Sequence, residues 1–162
     1  MVRRVFFSFH YERDIWRASQ VRNSWVTKDR EANTFLDSAS WESLKKQGDE
    51  PVKRWIDKQL DGTSVTVVLI GTETSTREFV RYEIRKSYEK KNGLVGVYIH
   101  KLKDNEGKTD KQGDNHFGEI DKDDKGNPVY FWQIAPTYDY VDNDGYNNLP
   151  KWIEEAAQKA GR

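Results

Sequence analysis

Apolar and polar positions alternate along the chain in blocks that predict an orderly run of strands and helices. Val5-Phe6-Phe7-Ser8-Phe9 is almost unbroken apolar sequence, rich in aromatic and β-branched residues, and predicts a strand covered on both faces. Between Asp14 and Val26, Ile15, Ala18, Val21 and Trp25 recur at roughly helical spacing with Arg17 and Arg22 opposite, which predicts a first helix. Thr34-Phe35-Leu36 predicts a short second strand, followed by a polar loop from Asp37 to Asp49. Pro51 suits the first turn of a second helix with Val52, Trp55, Ile56 and Leu60 as its buried stripe and Gly62 just past its end. Ser64 to Ile70 carries the strongest strand pattern and should lie centrally in the sheet. Ser75 followed by Glu78 matches a capping box, so a third helix is expected from Thr76 to about Lys90, with Val80, Ile84 and Tyr88 inward. Leu94 to Ile99 predicts a fourth strand and Val129 to Trp132, with Ile134, a fifth. Pro150 is expected to open a last helix through Trp152, Ile153, Ala156, Ala157 and Ala160.

The order β-α-β-α-β-α-β-β-α implies an α/β three-layer sandwich, because right-handed crossovers place helices on both faces of a mostly parallel sheet. The expected architecture is flavodoxin-like, with five strands in the order 2-1-3-4-5. At 162 residues the chain, 1–162, fits one domain. Only Lys101 to Pro128 breaks the rhythm. Its large apolar residues are Leu102, Phe117 and Ile120, so this polar insertion at about 101–128 is expected to be disordered or a small surface hairpin rather than a binding arm.

Composition narrows the function. Lys plus Arg and Asp plus Glu both number 27, so no net field gathers nucleic acid or anionic lipid, and neither is expected as a partner. No cysteine is present, which excludes disulfides, thiolate metal sites and cysteine nucleophiles. The N-terminal apolar run is too brief for a signal sequence and no stretch approaches the ~20 apolar residues of a membrane span, so a cytoplasmic location is expected. Aromatic residues make up 13% of the chain, so a few large side chains must build the core.

Two acidic stretches fail as calcium loops: one beginning at Asp121 has Lys125 at its fifth position and Trp132 at its twelfth, and one around Asp144-Gly145 has Tyr140 first and Lys151 twelfth. His10, His100 and His116 share no metal-binding spacing, so no metal is expected. Two usual occupants of the fold also fail. Phe9-His10 and Ile70-Gly71 stand where a phospho-receiver needs acids, and Phe9 to Arg13 is too bulky for a flavodoxin phosphate loop.

Ligands of open parallel sheets bind beyond the carboxyl ends of strands where the winding reverses, here between strands 1 and 3. Strand 1 delivers Ser8, Phe9, His10 and Arg13 to that crevice; strand 3 delivers Gly71, Thr72, Thr74 and Ser75. Glu83, one position before buried Ile84 and four after Phe79, borders the apolar stripe of the third helix. Each has an ordinary structural explanation when taken singly: a surface pair with Lys86 for Glu83, core packing for Phe9, a solvent pair with Glu12 or Asp14 for Arg13. Their convergence on one crevice raises their weight.

Three blocks carry a resemblance: Val5 to Asp14 running into Trp16-Arg17-Ala18, Phe79-Val80-Arg81-Tyr82-Glu83-Ile84, and Tyr138-Asp139-Tyr140 to Gly145 through Ile153. With them the chain resembles the TIR-like domains of the Thoeris antiphage defence system, the ThsB family. Phe79 to Glu83 is also similar to the wider TIR motif, in which an aromatic residue, usually Trp, stands four positions before the catalytic glutamate.

The resemblance implies a phage-triggered NAD glycohydrolase or ADP-ribosyl cyclase, weakly active without its trigger. It would cleave NAD at the nicotinamide ribosyl bond and make a cyclic ADP-ribose isomer or related conjugate that activates a partner effector. NAD is then substrate and no cofactor is implied. Glu83 takes the catalytic role; Ser8, Phe9, His10, Arg13, Gly71, Ser75 and Phe79 are the expected binding residues, with Trp41 a candidate lid. The alternative reading is a non-catalytic sensor or adaptor acting by self-association, and a third is a nucleoside-processing transferase.

Overall fold

The computed structural model describes residues 3–27 and 29–162. Met1 and Val2, where the reading for a signal sequence begins, lie outside the described residues. The chain runs β1 (Arg3–Ser8), α1 (Tyr11–Trp25), β2 (Arg30–Ala32), α2 (Ser38–Lys46), α3 (Asp49–Leu60), β3 (Val65–Ile70), α4 (Glu78–Glu89) and β4 (Gly93–Tyr98). There follow β5 (Glu119–Lys122), β6 (Pro128–Tyr130), the single helical turn α5 (Phe131–Ile134), β7 (Thr137–Asp139) and α6 (Gly145–Lys159). β2, β1, β3, β4 and β7 form an all-parallel sheet in that order, the flavodoxin-like winding expected from the sequence. No described helix is long and apolar enough to cross a membrane.

Strand periodicity decides which side chains meet. Successive residues of a strand point to opposite faces. Val5 and Phe7 therefore pack with Ala18, Val21 and Trp25 of α1 and with Leu149, Trp152 and Ile153 of α6. Phe6 joins Val52 and Ile56 of α3 on the other face, and Ser8 shares that face with it. Val68 and Ile70 of β3 pack there against Val80 and Ile84 of α4. The same register that buries Phe6 thus turns one hydroxyl toward α4.

Several elements depart from the sequence expectation. The second strand lies at Arg30–Ala32 rather than Thr34–Leu36, paired Arg3↔Arg30 through Val5↔Ala32. An edge strand needs no apolar run, because only one of its sides must be bonded. Asn33 then seals the chain onto β1, its Oδ1 accepting from the Phe7 N–H at 2.8 Å. The polar loop after it holds a helix: Asp37 caps α2 by accepting from the Ser40 N–H at 2.7 Å, and only Trp41 of this helix is buried, which is why its sequence reads as polar.

The capping box at Ser75 does not form. Thr74–Thr76 makes a 3₁₀ turn, and α4 starts at Glu78 with Arg77 as an N-cap that makes no side-chain cap bond. The expected fifth strand, Val129 to Trp132, is also corrected. β6 pairs antiparallel with β5 away from the main sheet, and the chain then coils so that Phe131 is buried against β4. A Cβ at Gly96 would stand 3.0 Å from the Phe131 ring, so the glycine makes room for it. The fifth place in the sheet goes to β7, paired Gly96↔Thr137 to Tyr98↔Asp139. α6 starts five residues before Pro150, which lies inside it.

The polar insertion is anchored at both ends. The Arg17 guanidinium, 3% exposed, donates to the carbonyls of Leu102 and Lys108 at 2.8 and 2.9 Å and to Asp14 Oδ1 at 3.1 Å. Further along, Phe117 and Ile120 join the apolar cluster of Val80 and Ile84 on α4.

Candidate functional site

A cavity of about 120 Å³ opens between the end of β1, the segment after β2, α2 and α4. Its walls are largely aromatic. Phe9 lies 4.8 Å from Phe35 between ring centroids, Tyr11 lies 5.0 Å from Trp41, and Trp41 meets Phe79 edge-on at 6.4 Å. Offset and edge-on pairs of this kind are the favoured arrangements of aromatic rings and make stiff walls.

Glu83 lines this cavity and is 8% exposed. Ser8 Oγ donates to Glu83 Oε1 at 2.8 Å, and among the described residues no other protein donor bonds the carboxyl. Helix and strand periodicity together produce the pair: Glu83 sits beside Val80 and Ile84 on the buried side of α4, and Ser8 is the last residue of β1 on the face of Phe6. Burial raises the Glu83 pKa to about 8, only partly opposed by the Ser8 hydrogen bond. In the free protein the acid is therefore mostly protonated at neutral pH.

His10 also lines the cavity and is 7% exposed. Its Nδ1 lies 3.4 Å from Glu12 Oε2 but makes no hydrogen bond. Burial lowers its pKa, helped by the Arg77 charge and opposed by Glu12 and Glu73, so the imidazole is neutral at pH 7. Burial alone would raise Glu12, but the hydrogen bonds from Lys45, its own backbone N–H and Trp41, with the Lys45 charge, outweigh it and hold the carboxyl down at about 2. Those bonds, Lys45 Nζ at 2.7 Å and Trp41 Nε1 at 3.2 Å, tie α2 to α1 beside the cavity. The Tyr11 hydroxyl, which donates to the Leu36 carbonyl, adds a further tie.

Of the residues expected at the site, the structure brings together Ser8, Phe9, His10, Phe79 and Glu83, with Trp41 in the wall. Arg13, Gly71 and Ser75 lie elsewhere. Arg13 is held by Glu73 and Asp110, both at 2.7 Å. Gly71 donates its N–H to Thr74 Oγ1 and packs so closely on Asp14 that a Cβ would meet the carboxylate at 2.1 Å. Gly113 of the insertion abuts the Gly71 carbonyl, so the space beyond β3 is taken by the chain itself. Ser75 uses its carbonyl to accept from Arg81 Nε at 3.0 Å. Sequence reasoning missed Glu12, Lys45, Asn33 and Arg77, which line the cavity. None of them was singled out as a site residue, although Glu12 falls within the first of the three blocks that carry the resemblance.

The family model described as Thoeris protein ThsB, TIR-like domain, matches residues 6–104, which include the second half of β1, all of α4 and the Ser8–Glu83 pair. A Bacillus cereus (strain MSX-D12) protein named "Putative cyclic ADP-D-ribose synthase ThsB1" is 38% identical over 191 residues, covering 94% of this chain and 100% of that protein. Similarity of this extent, across a parallel sheet of this order and the blocks around Ser8 and Glu83, places the chain in the Thoeris ThsB TIR-like family.

Proposed function

We propose that the protein is a phage-triggered enzyme that cleaves NAD at the nicotinamide ribosyl bond and releases a cyclic ADP-ribose isomer or a related ADP-ribose signal, which a partner effector reads. The observation that carries this reading is the Glu83 carboxyl, hydrogen-bonded to Ser8 in an aromatic cavity. The kinship with a named cyclic ADP-D-ribose synthase supports it.

The chemistry follows from the residues. The C–N bond to nicotinamide breaks with its electron pair leaving on the ring nitrogen, so the cationic ring departs neutral and positive charge develops on the ribose. A carboxylate beside the sugar stabilises that charge and needs to give no proton. Glu83 meets this need only when ionised. The cationic nicotinamide ring supplies the opposite charge that lowers a carboxyl pKa, so substrate entry itself ionises the acid. Ser8 keeps one carboxylate oxygen fixed and leaves the other for the ribose hydroxyls. Phe9, Phe35, Trp41 and Phe79 keep water from the ribosyl cation while a nucleophile of the same dinucleotide attacks and loses its proton.

At about 120 Å³ the cavity is smaller than the ~300–1,000 Å³ typical of small-ligand sites. It suits one ring and its sugar, and full entry requires α2 to yield. This supports low activity at rest and a trigger that loosens α2. The test is to incubate the chain with NAD, with and without infected-cell lysate, and follow nicotinamide and the nucleotide product by chromatography and mass spectrometry. Nicotinamide release lost in Glu83→Gln supports the reading; equal output from both proteins rejects it. The exposed rings of Trp16, 55% accessible, and Tyr146, 70%, favour a second reading in which the domain signals by self-association. A cellular response that survives Glu83→Gln and is lost with Trp16→Ala or Tyr146→Ala selects that reading.

A further inference from the structure

The cavity holds an unbalanced positive charge. Five of its lining residues bear on that charge: His10, Glu12, Lys45, Arg77 and Glu83. Glu12 and Lys45 cancel each other at 2.7 Å, His10 and Glu83 are uncharged at neutral pH, and Arg77 remains. Among the described residues the Arg77 guanidinium has no carboxylate within 4.0 Å and makes no side-chain hydrogen bond. It is exposed, whereas Glu83 is buried, so it stands at the mouth and the acid at the floor. In the same cavity, close enough to feel the Arg77 charge, His10 offers a buried Nδ1 with no hydrogen-bond partner. Arg77 precedes α4 and Glu83 follows six residues later, a separation of roughly 9 Å along the helix axis. That is the scale of a pentose with its 5′ carbon and a phosphate.

We propose that Arg77, with His10, is the anion clamp of this cavity, holding the diphosphate of the dinucleotide while the ribose lies against Glu83. This rests on the dinucleotide reading above and replaces Arg13, whose charge is already taken by Glu73 and Asp110. A guanidinium suits the task because its fork of N–H donors matches phosphate oxygens two at a time. A neutral imidazole beside it donates one more hydrogen bond at no cost in charge. Glu12, whose Oε2 lies 3.4 Å from His10 Nδ1, has its charge offset by Lys45 and its other oxygen bonded by Lys45 and Trp41, so it repels the phosphates little.

The test is calorimetric titration of ADP-ribose, which carries the diphosphate and no scissile bond, into wild type, Arg77→Gln, Arg77→Lys, His10→Ala and Arg13→Gln at two salt concentrations. Arg77→Gln is expected to weaken binding by about ten- to a hundredfold, the range for losing hydrogen bonds to a charged group, and to flatten its salt dependence. Arg77→Lys should restore part of it, His10→Ala should cost a few-fold, and Arg13→Gln should bind as wild type. Unchanged binding by Arg77→Gln, an equal loss in Arg13→Gln, or no binding by wild type overturns the clamp. A chain that binds ADP-ribose through Arg77 yet releases no nicotinamide under any trigger keeps the clamp and loses the catalytic reading. Nicotinamide release that depends on Glu83 and ignores Arg77→Gln does the reverse.

Discussion

Replacing Glu83 with Gln should make the fold more stable, increasingly so as pH rises. The structure gives the carboxyl a folded pKa of about 8 against 4.5 for the free group, because burial penalises its ionised form. With the folded value above the unfolded one, the folded state binds the extra proton between these values. The stability is therefore fully present below pH 4.5 and is lost as pH rises through 8. From pH 5.5 to 7.5 the loss from this one group is roughly 2 to 3 kcal/mol. For a domain of this size that corresponds to a drop of roughly 5–10 °C in melting temperature. Glutamine keeps the shape and cannot ionise, so the contribution vanishes. Melting curves of both proteins at half-unit steps from pH 5 to 8.5 should diverge steadily, with Glu83→Gln the higher at alkaline pH. Other titrating groups are shared and cancel in the difference. Parallel curves would show that the acid ionises freely in the folded protein and would refute the buried-acid argument, along with substrate-driven ionisation.

The remaining expectations can be checked with single substitutions. Ser8→Ala removes the one hydrogen bond that, among the described residues, favours the Glu83 carboxylate, so the acid limb of the pH–rate profile should move to higher pH, at a stability cost of about 1 kcal/mol. Glu12→Gln weakens the ties from Lys45 and Trp41 that hold α2; it should raise amide exchange across Ser38–Lys46 and raise untriggered nicotinamide release, and unaltered exchange would show that α2 is held by packing alone. Arg17→Ala strands buried Asp14 and frees the insertion, with an expected loss of about 3–5 kcal/mol in chemical denaturation, whereas exposed Arg13→Gln should cost about 1 kcal/mol or less.

The sheet was legible because its central strands, β1, β3 and β4, are apolar on both faces and cannot be anything else in so polar a chain. The glutamate and serine were legible for the same reason: the period of the helix and of the strand fixes which way they point once Ile84 and Phe6 are buried. The edges were less so. β2 and β7 are three residues each and are bonded on one side only, so their sequences carry little apolar signal. α2 buries Trp41 alone and reads as a loop until Asp37 is seen capping it. Arg13 was misplaced because its usefulness depends on Asp110 and Glu73, which are 97 and 60 residues away in sequence and adjacent only in the fold. Arg77 could not be singled out for the converse reason: its distinction is that, among the described residues, no side-chain partner holds it.

The hairpin in the polar insertion acts as a splint for the Glu83 helix. Phe117 and Ile120 share an apolar cluster with Val80 and Ile84 of α4, and two apolar residues in a long hydrophilic stretch are enough to make it. Lengthening or rewriting that stretch is therefore not neutral decoration. Any edit that lifts either side chain slackens the rod on which the acid is mounted, and its effect arrives at Glu83 without a single altered residue in the cavity wall.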